Sequence, residues 1–236
     1  MHAPVVVVPT YNECANLPLL VEALLAIADL RVLIVDDASP DGTGALADSL
    51  ARTSGGRLSV LHRSPPRGFG RSYVEGMRQA LGMHAGLVCQ MDADLSHDPA
   101  DVPRLVAAAG HADLVIGSRY VAGGRIENWA RRRILLSTFG NRYVRAITRL
   151  PVQDCTSGFR CWRREALERL PLERIVSNGY AFQVEMIWEA TRAGCRVVEV
   201  PITFVERREG VSKLSSGMVA ESVVLPWRLV LRRSRR

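Results

Sequence analysis

Two aspartates one residue apart, Asp92 and Asp94, stand in Met91-Asp-Ala-Asp-Leu-Ser96, directly after an apolar run over 87–91. Residues i and i+2 of an extended segment point the same way, so both carboxylates can reach one cation. Hard oxygen ligands suit Mg²⁺ or Mn²⁺, which keep water and bridge substrate phosphates. Spacing alone leaves a second reading open, in which the pair are solvated loop acids and Asp98 caps a helix. Asp36-Asp37 closes another apolar run, where a carboxylate can accept hydrogen bonds from a base or ribose. The same stretch, Asp37-Ala-Ser-Pro-Asp-Gly42, also has the chemistry of a turn and helix start. Gly68-Phe-Gly70-Arg-Ser-Tyr73 misses the third glycine of a dinucleotide fingerprint and opens the third helix rather than the first, so it is not read as one.

The elements that must position these groups are legible in the hydrophobic pattern. Apolar runs at 5–8, 32–35, 58–61, 87–91 and 114–116 alternate with helical periodicity at 16–28, 43–52, 70–82 and 101–109. Unbroken Val/Ile/Leu runs are buried on both faces, which predicts an α/β protein with a mostly parallel sheet and helices on each side. Ligands of such sheets sit beyond the strands' carboxyl ends. The residues there are polar: Pro9-Thr-Tyr-Asn-Glu13, Asp36-Asp37, Asp92-Ala-Asp94 and Gly117-Ser-Arg119. The second half is less regular, with helices expected at 129–148, 164–170 and 180–193 and strands at 157–162 and 196–205. An amphipathic segment, broken or kinked near Pro226, closes the chain and ends in Arg232-Arg-Ser-Arg-Arg236.

The 236 residues are 47% hydrophobic and carry 31 basic against 24 acidic side chains, a globular profile that excludes disorder and a disulfide mini-protein. Five cysteines with no CxxC pair read as thiols of a reducing compartment. No run of about 18 apolar residues suggests a membrane span, and the first nine residues are too short for a signal peptide. Residues 119–149 hold eight Arg and one acid, and residues 207–236 hold eight basic residues and two acids, so the excess charge is local and calls for an anionic partner. Lys213 is the only lysine. The basic segments contain no recognised nucleic-acid-binding motif, which argues against nucleic acid.

Eight segments in order, VVVVPTYNE, VLIVDDASPDGT, RGFGRSYVEGM, MDADLSHDP, DLVIGSRYVAGG, DCTSGFRCWRR, NGYAFQVEM and VPITFVERREGVSKL, resemble the family-2 glycosyltransferases of GT-A (Rossmann-like) fold, and among them the polyprenol-phosphate mannosyltransferases. The resemblance spans about residues 4–217. It implies one catalytic domain over 1–217, with a nucleotide-sugar and metal half (1–118) and an acceptor half (119–217), followed by a basic amphipathic tail (218–236). It implies that Pro9, Tyr11 and Glu13 hold the donor nucleotide with Asp37 near base or ribose, and that Asp92 and Asp94 bind Mg²⁺ or Mn²⁺. Members of that family often carry Gln where Ser96 stands, and the resemblance puts Ser96 as the third metal ligand. Arg119, Arg133, Ser137 and Arg207 are placed at an acceptor phosphate and Lys213 near the phosphates. Arg133 and Ser137, four apart, would share one helix face, and guanidinium forks suit phosphate oxygens. Asp154 and Arg160 could form an ion pair beneath the site. Gln183 and Glu185 could orient it or simply pack, and His97 could cap or line its loop.

The activity implied is an inverting, metal-dependent transfer of mannose from GDP-mannose to a polyprenyl phosphate at the cytoplasmic face of a membrane, the protein being peripheral or held by a membrane-anchoring partner. A phosphate monoester is largely ionised at neutral pH, so such an acceptor needs no general base. Transfer of glucose from UDP-glucose is the alternative within the class, and a non-catalytic basic module binding membrane or nucleic acid the alternative outside it. A metal-dependent phosphatase would need a nucleophilic Asp after the first strand, where Pro9-Thr-Tyr-Asn12 stands.

Overall fold

Four parallel strands carry the first half of the sheet, and the reason is visible in the central one. In the computed structural model, which describes residues 3–175, 177, 179–206 and 216–233, strand β1 (Val5–Thr10) pairs in parallel with β2 (Arg31–Asp36) on one side and β4 (Leu87–Gln90) on the other. Val5 to Val8 are wholly buried because alternate valines enter different cores. Val5 and Val7 face a core completed by α3 (Phe69–Gly82), α5 (Arg131–Thr148), α6 (Arg164–Glu168), α7 (Gly179–Arg192) and α8 (Ser216–Arg233). Val6 and Val8 face the other, built on α1 (Leu17–Leu25), α2 (Thr43–Thr53) and α4 (Val102–Ala108). Helix α3 lies directly on the sheet because Gly76 has no side chain, and a Cβ there would come within 2.4 Å of Val7.

The full sheet has the order β3-β2-β1-β4-β7-β5-β8, with β3 at Leu58–His62, β5 at Leu114–Ser118, β7 at Arg160–Arg163 and β8 at Val197–Pro201. Only β7 runs against the rest, inserted between β4 and β5. The carboxyl ends of β1, β2, β4 and β5 therefore share one rim with the start of β7. This is the mostly parallel, helix-covered α/β architecture expected from the pattern.

The second half departs from expectation in detail. The single strand expected at 196–205 divides at Ile202, whose N–H donates to Ser118 O (3.0 Å) while its carbonyl accepts from Arg125 N (2.9 Å). Beyond it β9 (Thr203–Val205) leaves the main sheet and pairs in parallel with β6 (Arg125–Glu127), which is too short and exposed to show an alternation. The last helix is not broken at Pro226. Tyr143 Oη donates to Val223 O (2.9 Å) in the turn before the proline, tying α8 to α5. Among the described residues no helix is long and apolar enough to cross a membrane.

Candidate active site

The carboxylate end of the rim begins where β4 stops. Met91 and Ala93 are buried while Asp92 and Asp94 are both partly exposed, so the alternation carries both acids to the open side. Asp92 Oδ1 accepts from the phenol of Tyr73 (2.9 Å), a wholly buried residue of α3 stacked on Phe182 with ring centroids 5.7 Å apart. Burial, and then the charge of Asp92, push the Tyr73 phenol well above its ordinary range, so it stays a donor. Asp94 Oδ1 accepts from both the N–H (3.2 Å) and the hydroxyl (2.5 Å) of Ser96, which orients that carboxylate. His97 Nε2 lies 3.8 Å from Asp92 Oδ2, its ring packed between Phe159 and Phe204 at centroid distances of 5.0 Å. Burial drives the imidazole down to about 4, so it is neutral at physiological pH.

Among the described residues no three His, Cys, Asp or Glu side chains converge on one point. Two partly exposed carboxylates with a hydroxyl beside them still fit Mg²⁺ or Mn²⁺, which take few protein ligands and fill the rest with water and phosphate oxygens.

The segments after β1 and β2 form a tied loop pair. Glu13 N–H donates to Thr43 Oγ1 (2.9 Å), and Asn16 Nδ2 donates to Glu13 Oε2 (2.9 Å). Thr43 in turn donates to Asp41 (2.6 Å), and although burial alone would raise that carboxyl, the Thr43 and Cys14 donors hold it below its ordinary value. Arg67 donates to Tyr11 Oη (2.6 Å) and lies over its ring. Asp37 already has partners on both oxygens: Oδ2 accepts from Gly68 N (2.8 Å) and Oδ1 pairs with Arg63, which also reaches Glu75 (2.8 Å). Asp37 thus anchors the loop leading into α3. Pro9 is the fifth residue of β1, in register with Val35.

At the end of β5, Arg119 and Asp154 meet fork to fork, Nε to Oδ2 at 2.7 Å and Nη2 to Oδ1 at 2.7 Å, with Thr156 Oγ1 a further acceptor at 2.8 Å. Their side chains are 4% and 0% exposed. Burial favours the uncharged forms, yet the pairing wins: it raises the Arg119 guanidinium and lowers the Asp154 carboxyl. Asp154 therefore pairs with Arg119 and not with Arg160. The wholly buried Arg160 donates instead to three carbonyls, Ser157 (2.9 Å), Gln183 (3.0 Å) and Cys155 (3.3 Å), and desolvation brings it down to about 9.

Helix α5 carries the second cationic group. Arg133 lies over the Trp129 ring (3.9 Å to the centroid), and its Nη1 contacts both carboxylate oxygens of Glu206, Oε2 at 2.7 Å. Ser137, one turn on, accepts from Tyr120 Oη (2.7 Å), which leaves its own O–H to donate elsewhere. Arg119 and Arg133 both approach Trp129, Trp129 packs on Phe204 (5.3 Å), and Phe204 packs on His97, so one run of rings joins the cationic end to the carboxylates. Arg207 and Lys213 lie outside the described residues, as do Arg235 and Arg236 and the side chains of Met218 and Arg233.

Tyr73, Arg63, Tyr120, Trp129 and Glu206 received no role from the sequence. Tyr73 and Glu206 sit inside quoted motifs, but their function depends on partners 19 and 73 residues away. Gln183 and Glu185 are buried in α7, with both amide atoms of Gln183 lacking a hydrogen-bond partner. Two surface concavities of about 350 and 460 Å³ lie near Trp188 and Arg192; Glu185 lines the larger, and neither is lined by Asp92, Asp94, Arg119 or Arg133.

Comparison with known proteins agrees with this geometry. Residues 5–171 match the family model described as glycosyl transferase family 2. The chain is 46% identical over 226 residues to a polyprenol monophosphomannose synthase of Mycolicibacterium smegmatis, covering 94% of this chain and 85% of that one. It is 47% identical over 219 residues to an undecaprenyl-phosphate mannosyltransferase of Micrococcus luteus, covering 92% and 90%. Among solved structures it is similar to glucosyl-3-phosphoglycerate synthase of Mycobacterium tuberculosis in complex with Mn²⁺ and UDP-glucose, at TM-score 0.69 and 21% identity over 98% of this chain and 79% of that one. A seven-stranded sheet with its acidic strand end, a family match over most of the chain and mannosyltransferase relatives lead to one statement: this chain is a glycosyltransferase and belongs to glycosyl transferase family 2.

Proposed function

We propose that the protein transfers mannose from GDP-mannose to a polyprenyl phosphate, with inversion and with Mg²⁺ or Mn²⁺, at the cytoplasmic face of a membrane. The observation that carries this reading is the pairing of two unlike ends on one rim. Asp92 and Asp94 suit a cation on a nucleoside diphosphate, while Arg133 and Ser137 suit the oxygens of a phosphate monoester. The names of the 46–47% identical relatives favour mannose and a polyprenyl phosphate over glucose from UDP-glucose. The Mn²⁺–UDP-glucose complex of a more distant fold neighbour supports a metal and a nucleotide sugar without choosing the base.

In this reading Asp92 and Asp94 would hold a divalent ion, which would supply positive charge for the departing diphosphate. The chain's own residues do the rest. Tyr73 and Ser96 fix the two carboxylates, and the tied loops of Tyr11, Glu13 and Asp37 shape the nucleotide end. Arg133 and Ser137 hold the acceptor phosphate, with Arg207 and Lys213 as further candidates, and the Arg119–Asp154 pair keeps the end of β5 rigid beside them. A phosphate oxygen forms the new bond to the sugar C1 as the bond from C1 to the diphosphate breaks and GDP leaves with the electron pair. A dianionic monoester becomes a monoanionic diester, and no proton has to be removed. That fits a rim whose nearest imidazole, His97, is sealed between two rings.

The membrane side of the proposal rests on α5. Leu135, Leu136 and Phe139 are 70%, 72% and 68% exposed on the helix that carries Arg133 and, about one turn back, the exposed Arg131 and Arg132; α8, which packs on α5 and donates from Trp227 to Tyr143, exposes Trp227, Arg228 and Leu231. An apolar ridge bordered by cations suits an anionic leaflet, from which a lipid phosphate would be presented. A panel of labelled nucleotide sugars with polyprenyl phosphate and Mg²⁺ or Mn²⁺ tests the proposal. Label should enter the organic phase from GDP-mannose; entry from UDP-glucose alone, or from no donor, overturns it.

A further inference from the structure

The two arginines of the cationic end hold their counter-ions in different ways. Arg119 meets Asp154 with two nitrogens on two oxygens in a sealed setting, a pair whose rupture strands a buried charge. Arg133 meets Glu206 through one nitrogen only, and the side chains are 31% and 34% exposed. Such a solvated, end-on pair contributes little and exchanges readily. Its position is nevertheless fixed. Glu206 N–H donates to Glu127 O (3.2 Å), and the preceding Val205 N–H donates to Ser96 O (3.1 Å), so the carboxylate is carried by backbone that is stitched both to β6 and to the Asp94–Ser96 loop. Trp129, which packs on Phe204, lies under the Arg133 guanidinium.

We infer that Glu206 is a resident substitute for the acceptor phosphate, an internal anion that holds Arg133 between turnovers and is exchanged for substrate. This rests on the acceptor reading of Arg133 given above. Charge supplies the direction of exchange. A phosphate monoester carries about −1.5 to −2 near neutral pH and so outcompetes one carboxylate for the guanidinium. After transfer the phosphate is a diester of charge −1, equal to that of Glu206, which is tethered and therefore present at high effective concentration. The carboxylate then reclaims Arg133 and the product is released. Glu206 is in this sense a specificity-determining residue: it sets a threshold that dianionic acceptors pass and monoanionic ones do not.

The test is steady-state kinetics of Glu206→Gln with a water-soluble short-chain prenyl phosphate as acceptor and a prenyl methyl phosphodiester as product analogue. Removing the competing charge should lower the acceptor KM about fivefold, the scale of one exposed ion pair. It should also tighten inhibition by the diester at least as much and leave the KM for nucleotide sugar unchanged. In an Arg133→Ala background, Glu206→Gln should no longer change the acceptor KM. If Glu206 instead only props Arg133 in place, Glu206→Gln raises the acceptor KM and weakens diester inhibition, which overturns the inference. An unchanged KM also overturns it. If Arg133→Ala by itself leaves the acceptor KM at the wild-type value, the acceptor reading has failed, an outcome separate from the others. Thermal unfolding of each variant identifies one that is misfolded, and Glu206→Asp, which keeps the charge, should then retain the wild-type selectivity between monoester and diester.

Discussion

Tyr73→Phe removes one hydroxyl from the centre of the protein and almost nothing else. The ring remains to stack on Phe182 and to meet Phe69 edge-on at 5.0 Å, so packing is kept. The bond lost is the 2.9 Å donation to Asp92 Oδ1. A hydrogen bond to a charged group has a net worth of about 1.5–3 kcal/mol when sealed from water. The Asp92 side chain is 31% exposed and can recruit a water, so the cost to folding should fall near 1 kcal/mol. For a chain of 236 residues that is a drop in Tm of about 2–4 °C. The cost to cation binding should be larger, because partners behind a metal ligand typically govern affinity by about 10–100-fold. Titrating Mn²⁺ against label transfer at fixed nucleotide sugar, with calorimetry of Mn²⁺ and GDP as a direct check, should show the apparent metal constant weakened by about that factor. Excess Mn²⁺ should restore most of kcat. A metal constant within twofold of wild type in a normally folded Tyr73→Phe protein would refute the idea that the phenol holds a metal ligand.

Asp94→Ala should abolish nearly all turnover, and Asp92→Ala should be severe; wild-type activity of Asp94→Ala in excess Mn²⁺ would sink the metal assignment. Ser96→Ala should cause a moderate loss through a less oriented Asp94, seen as a weaker metal constant at unchanged Tm. Asp154→Asn should cost about 3–5 kcal/mol in denaturant unfolding, since it leaves the Arg119 charge buried without a counter-charge. Because the folded Asp154 carboxyl sits below its ordinary 3.8, its contribution is complete above that pH and is lost as pH falls through the lower folded value, so wild type and Asp154→Asn should converge in strong acid. Replacing Leu136 and Phe139 with Ser should weaken sedimentation with anionic liposomes, each side chain being worth about 1.5–3 kcal/mol when fully inserted. Binding as tight as wild type would move the membrane contact elsewhere.

The strands of the first half were legible because burial on both faces leaves unbroken Val runs, and because polar residues cluster where those runs stop. Asp92 and Asp94 were legible for the same reason, the two-residue period of extended backbone. What could not be read were partnerships across long sequence distances. Asp154 lies 35 residues from Arg119 and only six from Arg160, and nothing local says which guanidinium it takes. The short strand Arg125–Glu127 carries no periodicity of its own and exists because β9 is beside it. The Asp37–Arg63 pair was hidden in the same way, since the two meet only once β3 is laid next to β2.

The reversed strand β7 carries an implication for how the chain assembles. β4 and β5 have no direct pairing; each finds its partner in β7, with Cys89 opposite Cys161 on one side and Val115 opposite Cys161 on the other. During synthesis the facing edges of β4 and β5 therefore stay open until about residue 163 has emerged, some 45 residues after β5 is complete, and the far edge of β5 stays open until β8 follows. Open apolar edges recruit other chains, so this interval is the one in which a nascent chain is most in need of a chaperone. Strands β1 to β4 can meanwhile pair among themselves, since their ladders close locally. Ribosome-arrested chains should accordingly resist protease over the first four strands well before the rim that joins Asp92 to Arg119 acquires protection, and the second step should arrive all at once when β7 is released.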